Sequence, residues 1–546
     1  MIPRICAAVL LVAAGAVAGP TPVTPPTVGS AITATADPKV PHPATTPCRV
    51  QLFKDLPFAD FSSKSFAYAP TCPGPWQKVV LEADYSVEAG RQFDRTATLW
   101  IGGVNIYFGT TAEPSRTVAR AWHVERDLTE YAALLRSASA GRAELGNLVN
   151  SRYTSSLWGT AQLAFYPAEE DDSARAADVV LPLSASPTGG TVGLGNPSAE
   201  LAATFQLPRN IERAFLDVVL QHQGLNDEFW YTCVPNDLTG PLQSCAGTAF
   251  REGQLSIDGV PAGVVPIYPW IFTGGVDPYF WRPIPAPQAL NFIPYRVDVT
   301  PFAGVLDDGK PHRFAIKVTN NSNYFSTTAT LLLYLDRGGK QVTGEVTQNT
   351  IGAPAPVVKP DLTTAKDGTV SGTVTTTSSR QFVLAGWVKT SHGRVRTEIR
   401  QTIDFSNVQQ FVSPTALPQV FVQNITQSTG ISSVTRVRGG EEDGSESTVR
   451  MSWPLEMDLS ASFDKDGNFT TQVGKVKQAY DRTDSNGDSS SVTSNSGEWA
   501  DTYPTQAGQS GAQRYFFSDG DLCYSRALTA AGGVLTSITD SSGCGD

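Results

Sequence analysis

The sequence is short of charge, of histidine and of recognisable catalytic motifs. Only 17% of its 546 residues are charged, and it contains five histidines and three methionines. A G-x-S-x-G elbow, an H-E-x-x-H helix, a Walker loop and a dinucleotide fingerprint are all absent. The histidines show no ligand spacing, which disfavours a zinc site or a histidine-based triad. No metal or cofactor is therefore expected, and carboxylates are the catalytic groups that remain.

Long apolar runs are also missing beyond the N-terminus. Arg4, the apolar residues 5–14 and the small residues 16–18 are typical of a secretory signal, so residues 1–18 are predicted to be a signal peptide. No later segment is long and apolar enough to span a bilayer, and we expect a soluble, secreted product. The formal net charge of −11 argues against nucleic acid as a partner.

Cysteine is infrequent and comes in close couples. The sequence has seven cysteines, and cleavage of the predicted signal peptide would remove Cys6, so six remain. Six cysteines allow 15 pairings, between which sequence alone does not choose. The simplest arrangement is three local bridges, Cys48–Cys72, Cys233–Cys245 and Cys523–Cys544. None of these couples has zinc-finger spacing, which favours disulfides in an oxidising compartment. Three sequons are candidate glycosylation sites of a secreted chain, at Asn320, Asn424 and Asn468.

Glycine and proline, by contrast, are plentiful. The 48 glycines and 38 prolines suit a turn-rich β protein, and the length calls for about three or four domains. After the signal we expect a Pro/Thr-rich, extended or disordered leader at 19–47, a first domain at 48–190, a second at 191–340, a linker at 341–365 and a β-rich C-terminal domain at 366–546. Ser/Gly/Asp-rich runs such as 481–496 are predicted to be solvated loops.

An internal repeat relates the first two domains. Residues 126–131 (RDLTEY), followed by AALL, mirror residues 297–302 (VDVTPF), followed by AGVL. Likewise residues 99–104 (LWIGGV) mirror residues 255–260 (LSIDGV). Similarity at this spacing predicts two duplicated β-sandwich domains, and chance resemblance between β sequences is the alternative.

Each copy carries an acidic residue among aromatics at the edge of a β run. Asp94 stands in residues 90–95 (GRQFDR), and Glu228 stands in residues 226–231 (NDEFWY). Carboxylates avoid apolar surroundings unless they are paired or used in chemistry. One interpretation is an acid–base site shared by the two domains, with Arg95 and the neighbouring Asp227 tuning the pKa values. The other is structural, with a strand-capping Asp–Arg pair and a solvated loop charge.

Aromatic side chains cluster in residues 269–283 (PWIFTGGVDPYFWRP). Aromatic ring faces suit the apolar face of a sugar ring, so this cluster is a candidate cleft lining. Core packing explains most of its members, and Trp281 beside Arg282 is the strongest candidate for a substrate contact.

These segments together resemble a known family. Residues 75–114 (PWQKVV to TAEP), NDEFWY and IFTGGVDPYFWRP are similar to the peptide-N4-(N-acetyl-β-glucosaminyl)asparagine amidase A family, the acidic peptide:N-glycanases. The likeness is strong over residues 45–340 and looser after them. A more distant resemblance is to the F-type peptide:N-glycanases, which have two adjacent jelly rolls with catalytic acids in the groove between them. The resemblance implies an all-β chain with two tandem jelly-roll β-sandwich domains and a further β-rich C-terminal domain.

The same resemblance implies roles for particular residues. The primary F-type acid lies in a W-D-R-Y-A-N-V-Y-V segment that matches residues 93–101, which makes Asp94 catalytic; the second lies in an A-E-W-C segment that matches residues 227–230, which makes Glu228 catalytic. A further F-type glutamate falls near residues 150–153, where no acid stands, and Glu113 is the candidate replacement. Substrate contacts are implied for Arg95, Glu113, Trp230, Trp281 and Arg282.

The reaction implied is hydrolysis of the amide that links an N-glycan to asparagine, which yields an aspartyl peptide and a glycosylamine. One ionised and one protonated carboxyl can activate the water and protonate the leaving amine without a metal. The expected partners are N-glycosylated peptides and denatured glycoproteins, and the chain is expected to act as a monomer. The rival interpretations are a secreted endoglycosidase, which also needs two carboxylates, and a non-catalytic glycan-binding β-sandwich protein.

Overall fold

The chain is built almost entirely of antiparallel strands. A computed structural model describes residues 20–37, 40–93, 95–168, 176–184, 186–224, 226–440, 444–487, 489–520 and 522–543. The predicted signal peptide, Asp94 and Cys544 therefore lie outside the described residues. Among the helices within those ranges, none combines the length and the apolar character needed to cross a bilayer.

The first domain is an eight-stranded jelly roll. Its strands are β1 (Cys48–Phe58), β2 (Lys64–Tyr68), β3 (Trp76–Val87), β4 (Thr96–Ile101), β5 (Val104–Thr110), β6 (Arg120–Asp127), β7 (Ser139–Leu145) and β8 (Leu157–Pro167). They form two four-stranded sheets in the orders β1-β8-β3-β6 and β2-β7-β4-β5, which is the jelly-roll arrangement. The inward side chains of both sheets, such as Leu81, Leu99 and Leu163, share one core. A 3₁₀ helix, Thr129–Arg136, follows β6.

The second domain repeats this strand order. Its strands are β9 (Val179–Pro182), β10 (Val192–Leu194), β11 (Leu201–Gln206), β12 (Ile211–Gln223), β13 (Glu252–Ile257), β14 (Val260–Pro266), β15 (Tyr295–Asp298), β16 (Pro311–Thr319) and β17 (Tyr324–Leu335). Its helices are short: three 3₁₀ turns (Trp230–Thr232, Asn236–Leu238 and Thr300–Phe302) and α1 (Ala303–Leu306). The sheets run β10-β17-β12-β15, with β9 added beside β17, and β11-β16-β13-β14. The predicted all-β fold with tandem jelly rolls is confirmed by this strand order.

The repeated phrases occupy equivalent places in the two rolls. Asp127 Oδ1 accepts a hydrogen bond from the Thr129 amide at 2.9 Å, and Asp298 Oδ1 accepts one from the Thr300 amide at the same distance. Both threonine hydroxyls then accept from the amide of the strand alongside, Val79 at 3.1 Å and Ala214 at 3.2 Å. The similarity of sequence is therefore a similarity of hydrogen bonding, which chance resemblance does not explain.

The second phrase forms the same hairpin in each roll. Gly102 and Gly103 turn β4 into β5 with φ of 54° and 83°, and Asp258 and Gly259 turn β13 into β14 with φ of 51° and 81°. Two successive residues with positive φ define the turn whose twist matches antiparallel strands. Glycine tolerates that backbone region without strain, and an aspartate is among the few other residues that do.

The rest of the chain forms one twelve-stranded antiparallel sheet. Its strands are β18 (Thr343–Asn349), β19 (Val357–Thr364), β20 (Val370–Thr390), β21 (Gly393–Ser413), β22 (Gln419–Arg438), β23 (Glu446–Ser452), β24 (Leu455–Phe463), β25 (Phe469–Asn486), β26 (Ser489–Tyr503), β27 (Ser510–Asp519), β28 (Leu522–Ala531) and β29 (Val534–Ser541). Burial alternates along β21, so one face is covered and the other is solvated.

Two expectations about this region are corrected. Residues 341–365, expected to be a linker, contain β18 and β19, both hydrogen-bonded to β20. Within residues 481–496, expected to be a solvated loop, residues 481–486 belong to β25 and residues 489–496 to β26, and they are paired from Asp481 with Ser494 to Asn486 with Ser489. Serine, threonine and aspartate suit these strands because one face of the sheet is in water, and polar composition alone does not reveal the pairing partner.

The covered face of this sheet packs on the second roll and on the aromatic segment 269–283. Phe382, Ile403 and Trp453 of the sheet share a cluster with Trp270 and Phe292. Buried amide side chains of the sheet donate to backbone carbonyls of the irregular segments: Asn407 to Tyr231 at 2.9 Å, Gln409 to Cys233 at 2.9 Å, Gln423 to Thr232 at 2.9 Å and Gln478 to Pro269 at 2.7 Å. The sheet therefore supports the loops of the second roll.

The leader runs in an extended conformation over the surface of the folded chain. The Gly29 amide donates to the Leu535 carbonyl, and the Leu535 amide donates to the Ser30 carbonyl, both at 2.8 Å. Further along, Ala36 is fully buried and its amide donates to Gln513 Oε1 at 2.9 Å. The leader is thus extended, which is one of the two conformations expected for it, and some of its described residues are hydrogen-bonded to the last strands.

Two predicted disulfides, Cys48–Cys72 and Cys233–Cys245, are present. Cys523 is disulfide-bonded as well, and its predicted partner Cys544 lies outside the described residues. The sequon asparagines differ in setting: Asn468 is exposed in a turn, Asn424 is half-buried on β22, and Asn320 is half-buried with Nδ2 3.4 Å from the Phe250 carbonyl. Their glycosylation stays a prediction.

Two buried carboxyls meet where the aromatic segment touches the C-terminal sheet. Asp277 and Asp501 are 1% and 3% exposed. Burial raises the pKa of the Asp277 carboxyl to about 7; the Tyr279 amide, which donates to it at 2.8 Å, opposes the rise, and Asp501 adds to it. The Arg282 guanidinium lowers the pKa of Asp277. Burial raises the pKa of Asp501, and a hydrogen bond from the Thr502 amide lowers it. Two neighbouring buried carboxyls resist ionising together, so this junction favours a state in which one of them is protonated.

This pair should make stability depend on pH. Because the pKa of Asp277 is raised above its unfolded value, its favourable contribution is complete below about pH 4 and is lost as pH rises through about 7. Asp501→Asn removes the like charge, so we expect it to raise the free energy of unfolding at pH 8 by about 1–3 kcal/mol relative to the original chain, with a smaller effect at pH 5. Urea unfolding at both pH values measures this, with Asp466→Asn as an exposed control. A uniform shift at both pH values would contradict the assignment.

Candidate active site

The segments around Asp94 and Glu228 are the same connection in the two rolls. Residues 88–95 join β3 and β4 of the first roll, and residues 224–251 join the equivalent strands of the second roll, β12 and β13. The duplicated fold therefore presents the two segments from equivalent corners. Asp94 itself lies outside the described residues, but Phe93 and Arg95 on either side of it are described.

These corners meet at one cavity of about 520 Å³ between the two rolls. The first roll lines it with Phe61, Phe93, Arg95, Thr96, Thr98, Thr110, Glu144 and Gly146, and the second with Thr191, Gln223, Gly224, Glu228, Phe272, Tyr324 and Ser326. Its size is that of a small-ligand site, and hydroxyl and amide groups dominate its wall. The structure thus brings together Arg95 and Glu228, as the sequence predicts.

Arg95 is held rigidly at the edge of this cavity. Its side chain is 7% exposed, and Nη1 donates to Asn147 Oδ1 at 2.8 Å. Nη2 donates to Gln92 Oε1, and the guanidinium lies 4.2 Å from the centre of the Phe93 ring. A fixed cation next to position 94 favours the ionised form of a carboxyl there.

Glu228 is carried by a turn that a buried aspartate fixes. The Glu228 amide donates to the Gly224 carbonyl at 2.7 Å. Asp227 is fully buried, and its carboxylate accepts from Arg251 Nε at 2.9 Å. It also accepts from three successive amides, those of Ser322 (2.9 Å), Asn323 (2.6 Å) and Tyr324 (3.0 Å). Asp227 therefore points away from the cavity and ties the Glu228 turn to the start of β17, where Tyr324 lines the cavity.

A second acid among the described residues of the cavity wall, Glu144, was not predicted from the sequence. It lies on β7, the strand that follows the first repeated phrase, and its Oε2 lies 3.5 Å from Thr98 Oγ1. Its other oxygen accepts from Arg142. Residues 150–153, near which the resemblance places an acid, are not among the described residues that line the cavity. The alternation in AGRAEL, which puts Arg142 and Glu144 on one face, is the signal that identifies it.

The remaining predicted contacts do not reach the cavity. Trp230 and Trp281 are 1% and 3% exposed: Trp230 packs on Phe405, and Trp281 packs on Trp499 with ring centres 5.0 Å apart. These two predictions are wrong, because the C-terminal sheet covers both indoles. Of the aromatic cluster 269–283, Phe272 alone is among the described residues that line the cavity.

Glu113 and Arg282 form a separate pair. Burial lowers the pKa of the Arg282 guanidinium, and the Glu113 carboxylate acts in the opposite direction. Arg282 Nη2 also donates to the Pro114 carbonyl at 2.7 Å. Neither side chain is among the described residues that line the cavity, so Glu113 does not replace the third acid.

The buried histidine nearest to the site is structural. His222 is fully buried, and its ring stacks with Trp270 and Phe272 at 6.1 and 5.9 Å. Burial lowers the pKa of this imidazole to about 4, so it is neutral at physiological pH. Within the described ranges no three or more His, Cys, Asp or Glu side chains are grouped as a metal site.

Comparison with solved structures finds a weak likeness to F-type enzymes. The structure of PNGase F, a glycosylasparaginase from Flavobacterium meningosepticum, is 13% identical and is matched over 53% of this chain and 96% of that chain with a TM-score of 0.36. A structure of PNGF-II is 13% identical and is matched over 53% and 66% with a TM-score of 0.34. The assignment of the fold rests instead on the strand order described above.

Comparison of sequences is decisive. The family model of peptide N-acetyl-beta-D-glucosaminyl asparaginase amidase A matches residues 38–351. Peptide-N4-(N-acetyl-beta-glucosaminyl)asparagine amidase A of Prunus dulcis is 34% identical over 415 residues, which cover 71% of this chain and 70% of that protein. The chain belongs to the peptide N-acetyl-β-D-glucosaminyl asparaginase amidase A family and is an amidase that removes N-glycans.

Proposed function

We propose that this cavity hydrolyses the β-aspartyl-glucosaminyl amide of N-glycopeptides, releasing the glycan as a glycosylamine and converting asparagine to aspartate. The observation that carries the proposal is that the two equivalent corners, with Arg95 and Glu228, line one cavity together with Glu144. Two acids on opposite walls of one cavity, one of them predicted from a duplicated sequence, match the needs of amide hydrolysis better than those of a structural ion pair.

The roles follow from what each group can do. Amide cleavage needs a water made nucleophilic and a proton for the departing nitrogen, and carboxyl groups of different pKa supply both. We assign the linkage-facing acid–base role to Asp94, the acid that the sequence places next to Arg95. Glu228 and Glu144 then orient the water and the innermost sugar from opposite walls, since they come from different rolls.

The hydroxyl-rich wall fits a sugar. Thr96, Thr98 and Thr110 lie on β4 and β5 of the first roll, and Thr191 and Ser326 lie on the second. Hydroxyl groups donate and accept hydrogen bonds, so they match the hydroxyls of a carbohydrate from two sides. This pattern supports recognition of the glycan inside the cavity.

We also propose that the protein is secreted and acts outside the cell. The signal-like residues 1–18 and the disulfides Cys48–Cys72 and Cys233–Cys245 support this localisation. The second bridge closes the segment immediately after Glu228, so an oxidising compartment also favours an ordered site.

The cavity acids give the central test. We expect Glu228→Gln and Glu144→Gln each to lower kcat/KM by about 10²–10⁴-fold, because the amide keeps the shape and removes the charge and the proton acceptor. Asp94→Asn is expected to abolish turnover without unfolding the chain. The assay is release of the glycan from a denatured glycopeptide, followed by mass spectrometry of the peptide, with Glu113→Gln as the control outside the cavity.

The product identifies the reaction. Aspartate in place of the glycosylated asparagine supports the amidase, a single retained sugar means an endoglycosidase, and an unchanged glycopeptide means a binding protein. Full activity in both Glu228→Gln and Glu144→Gln would refute the site.

A second test asks whether the Asp227 carboxylate positions Glu228 and Tyr324 for catalysis. Asp227→Asn leaves the buried Arg251 without its counter-charge, so we expect the free energy of unfolding to fall by about 3–5 kcal/mol. We also expect kcat to fall, because Glu228 and Tyr324 lose their common anchor. Asp227→Asn/Arg251→Met removes both charges and should recover stability without recovering kcat. Urea unfolding and kcat measured well below the unfolding midpoint separate the two effects, with the exposed Asp237→Asn as control. Recovery of kcat together with stability would show that Asp227 is structural alone.

A further inference from the structure

The mouth of the cavity is apolar where its interior is polar. Phe61 is 68% exposed, and it is the most exposed large hydrophobic side chain among the described residues. Leu148 and Val149 are 39% and 41% exposed. Single exposed apolar residues are common on protein surfaces, whereas a contiguous group beside a ligand cavity marks an interaction site.

These side chains form one continuous edge, which we call the apolar rim: Phe61, Phe93, Leu148, Val149 and Tyr153. The Phe93 ring lies between Phe61 and Tyr153, with ring centres 6.3 and 5.0 Å away. Leu148 and Val149 stand in the loop that runs from Gly146 to Tyr153. That loop is closed by the Asn150 amide, which donates to the Tyr153 carbonyl at 2.7 Å. The two ends of the loop thus reach the same aromatic row.

The rim is held in place before any ligand arrives. Asn147 is fully buried; its amide donates to the Asp60 carbonyl at 3.1 Å, and its Nδ2 donates to the Phe58 carbonyl at 2.7 Å. The Phe61 ring covers Gly146 so closely that a Cβ there would stand 2.9 Å from Cδ1. Because Asn147 Oδ1 also accepts from Arg95, one side chain joins the rim to the wall of the cavity. An edge fixed in this way binds without first losing conformational freedom.

We propose that the apolar rim binds the polypeptide of the substrate, selecting unfolded glycopeptides with apolar side chains near the glycosylated asparagine. The proposal rests on the proposed function, since the scissile amide brings the peptide to the mouth when the sugar occupies the hydroxyl-rich interior. Leu148 and Val149 are aliphatic and offer no ring face for a sugar, so they favour peptide side chains over carbohydrate. Apolar residues are exposed in unfolded chains and buried in folded ones, which makes such a rim a sensor of unfolding.

The test uses two synthetic glycopeptides with the same glycan, one with leucine and phenylalanine flanking the sequon and one with serine and glycine. We expect the original enzyme to prefer the apolar peptide by about tenfold or more in kcat/KM. Phe61→Ser and Leu148→Ser should each reduce this preference at least about threefold through KM. Leu148 is not among the described residues that line the cavity, so Leu148→Ser should leave kcat and the rate on the polar peptide unchanged. Val260→Ser is the matched control, because Val260 is 46% exposed in a hairpin that does not line the cavity.

Several different results would contradict peptide binding by the apolar rim. Equal kcat/KM on the two peptides, or an unchanged preference in Phe61→Ser and Leu148→Ser, refutes peptide selection and leaves the amidase standing. If the loss of kcat/KM in the rim variants grows with the number of sugars on the same peptide, the rim binds carbohydrate instead of peptide. If light scattering shows that a rim variant has a different molar mass in solution from the original enzyme, the rim is a contact between copies of the chain. Should the original enzyme release no glycan, anisotropy of a labelled, unglycosylated apolar peptide still tests the rim, with weaker binding expected in Phe61→Ser.

Discussion

Buried backbone groups without regular partners are the constraint on which this architecture depends. The site is assembled from irregular segments, and every buried carbonyl and amide in them must find a hydrogen bond. The second roll cannot supply all of these partners, because its own strands are paired with one another. The large C-terminal sheet supplies them through amide side chains such as Asn407 and Gln409, which donate to carbonyls just after Glu228. This support gives the region beyond residue 341 a physical role.

Duplication explains why the groove has two unlike walls. Both rolls use equivalent connections, a short one between β3 and β4 in the first roll and a long one between β12 and β13 in the second. The short connection is held by hydrogen bonds such as those of Arg95 with Gln92 and Asn147, whereas the long one carries a disulfide and a buried ion pair and bonds to the C-terminal sheet. The common corner is inherited from the fold, and the differences between the corners allow the acids to differ in environment.

Much of this arrangement could be predicted from local sequence. The repeated D-x-T and turn phrases identify the two rolls because they encode the same hydrogen bonds within a few residues, and acids among aromatics identify the corner of each roll. Predictions from the sequence were wrong where a residue packs against or pairs with residues far away along the chain. Trp281 beside Arg282 resembles a sugar contact until the sheet that buries it is known, and polar strands such as β25 resemble loops until their neighbours are known.

Two residues of the leader, Gly29 and Ser30, are hydrogen-bonded to β29. Gly29 and Ser30 exchange hydrogen bonds with Leu535, which lies on β29 at the edge of the large sheet, and they shield part of an edge that could otherwise recruit another chain. A ribosome adds about 5–20 residues each second, so roughly half a minute to two minutes separate the synthesis of these partners. Gly29 and Ser30 therefore wait about that long for Leu535, and this part of the fold forms only after β29 has emerged.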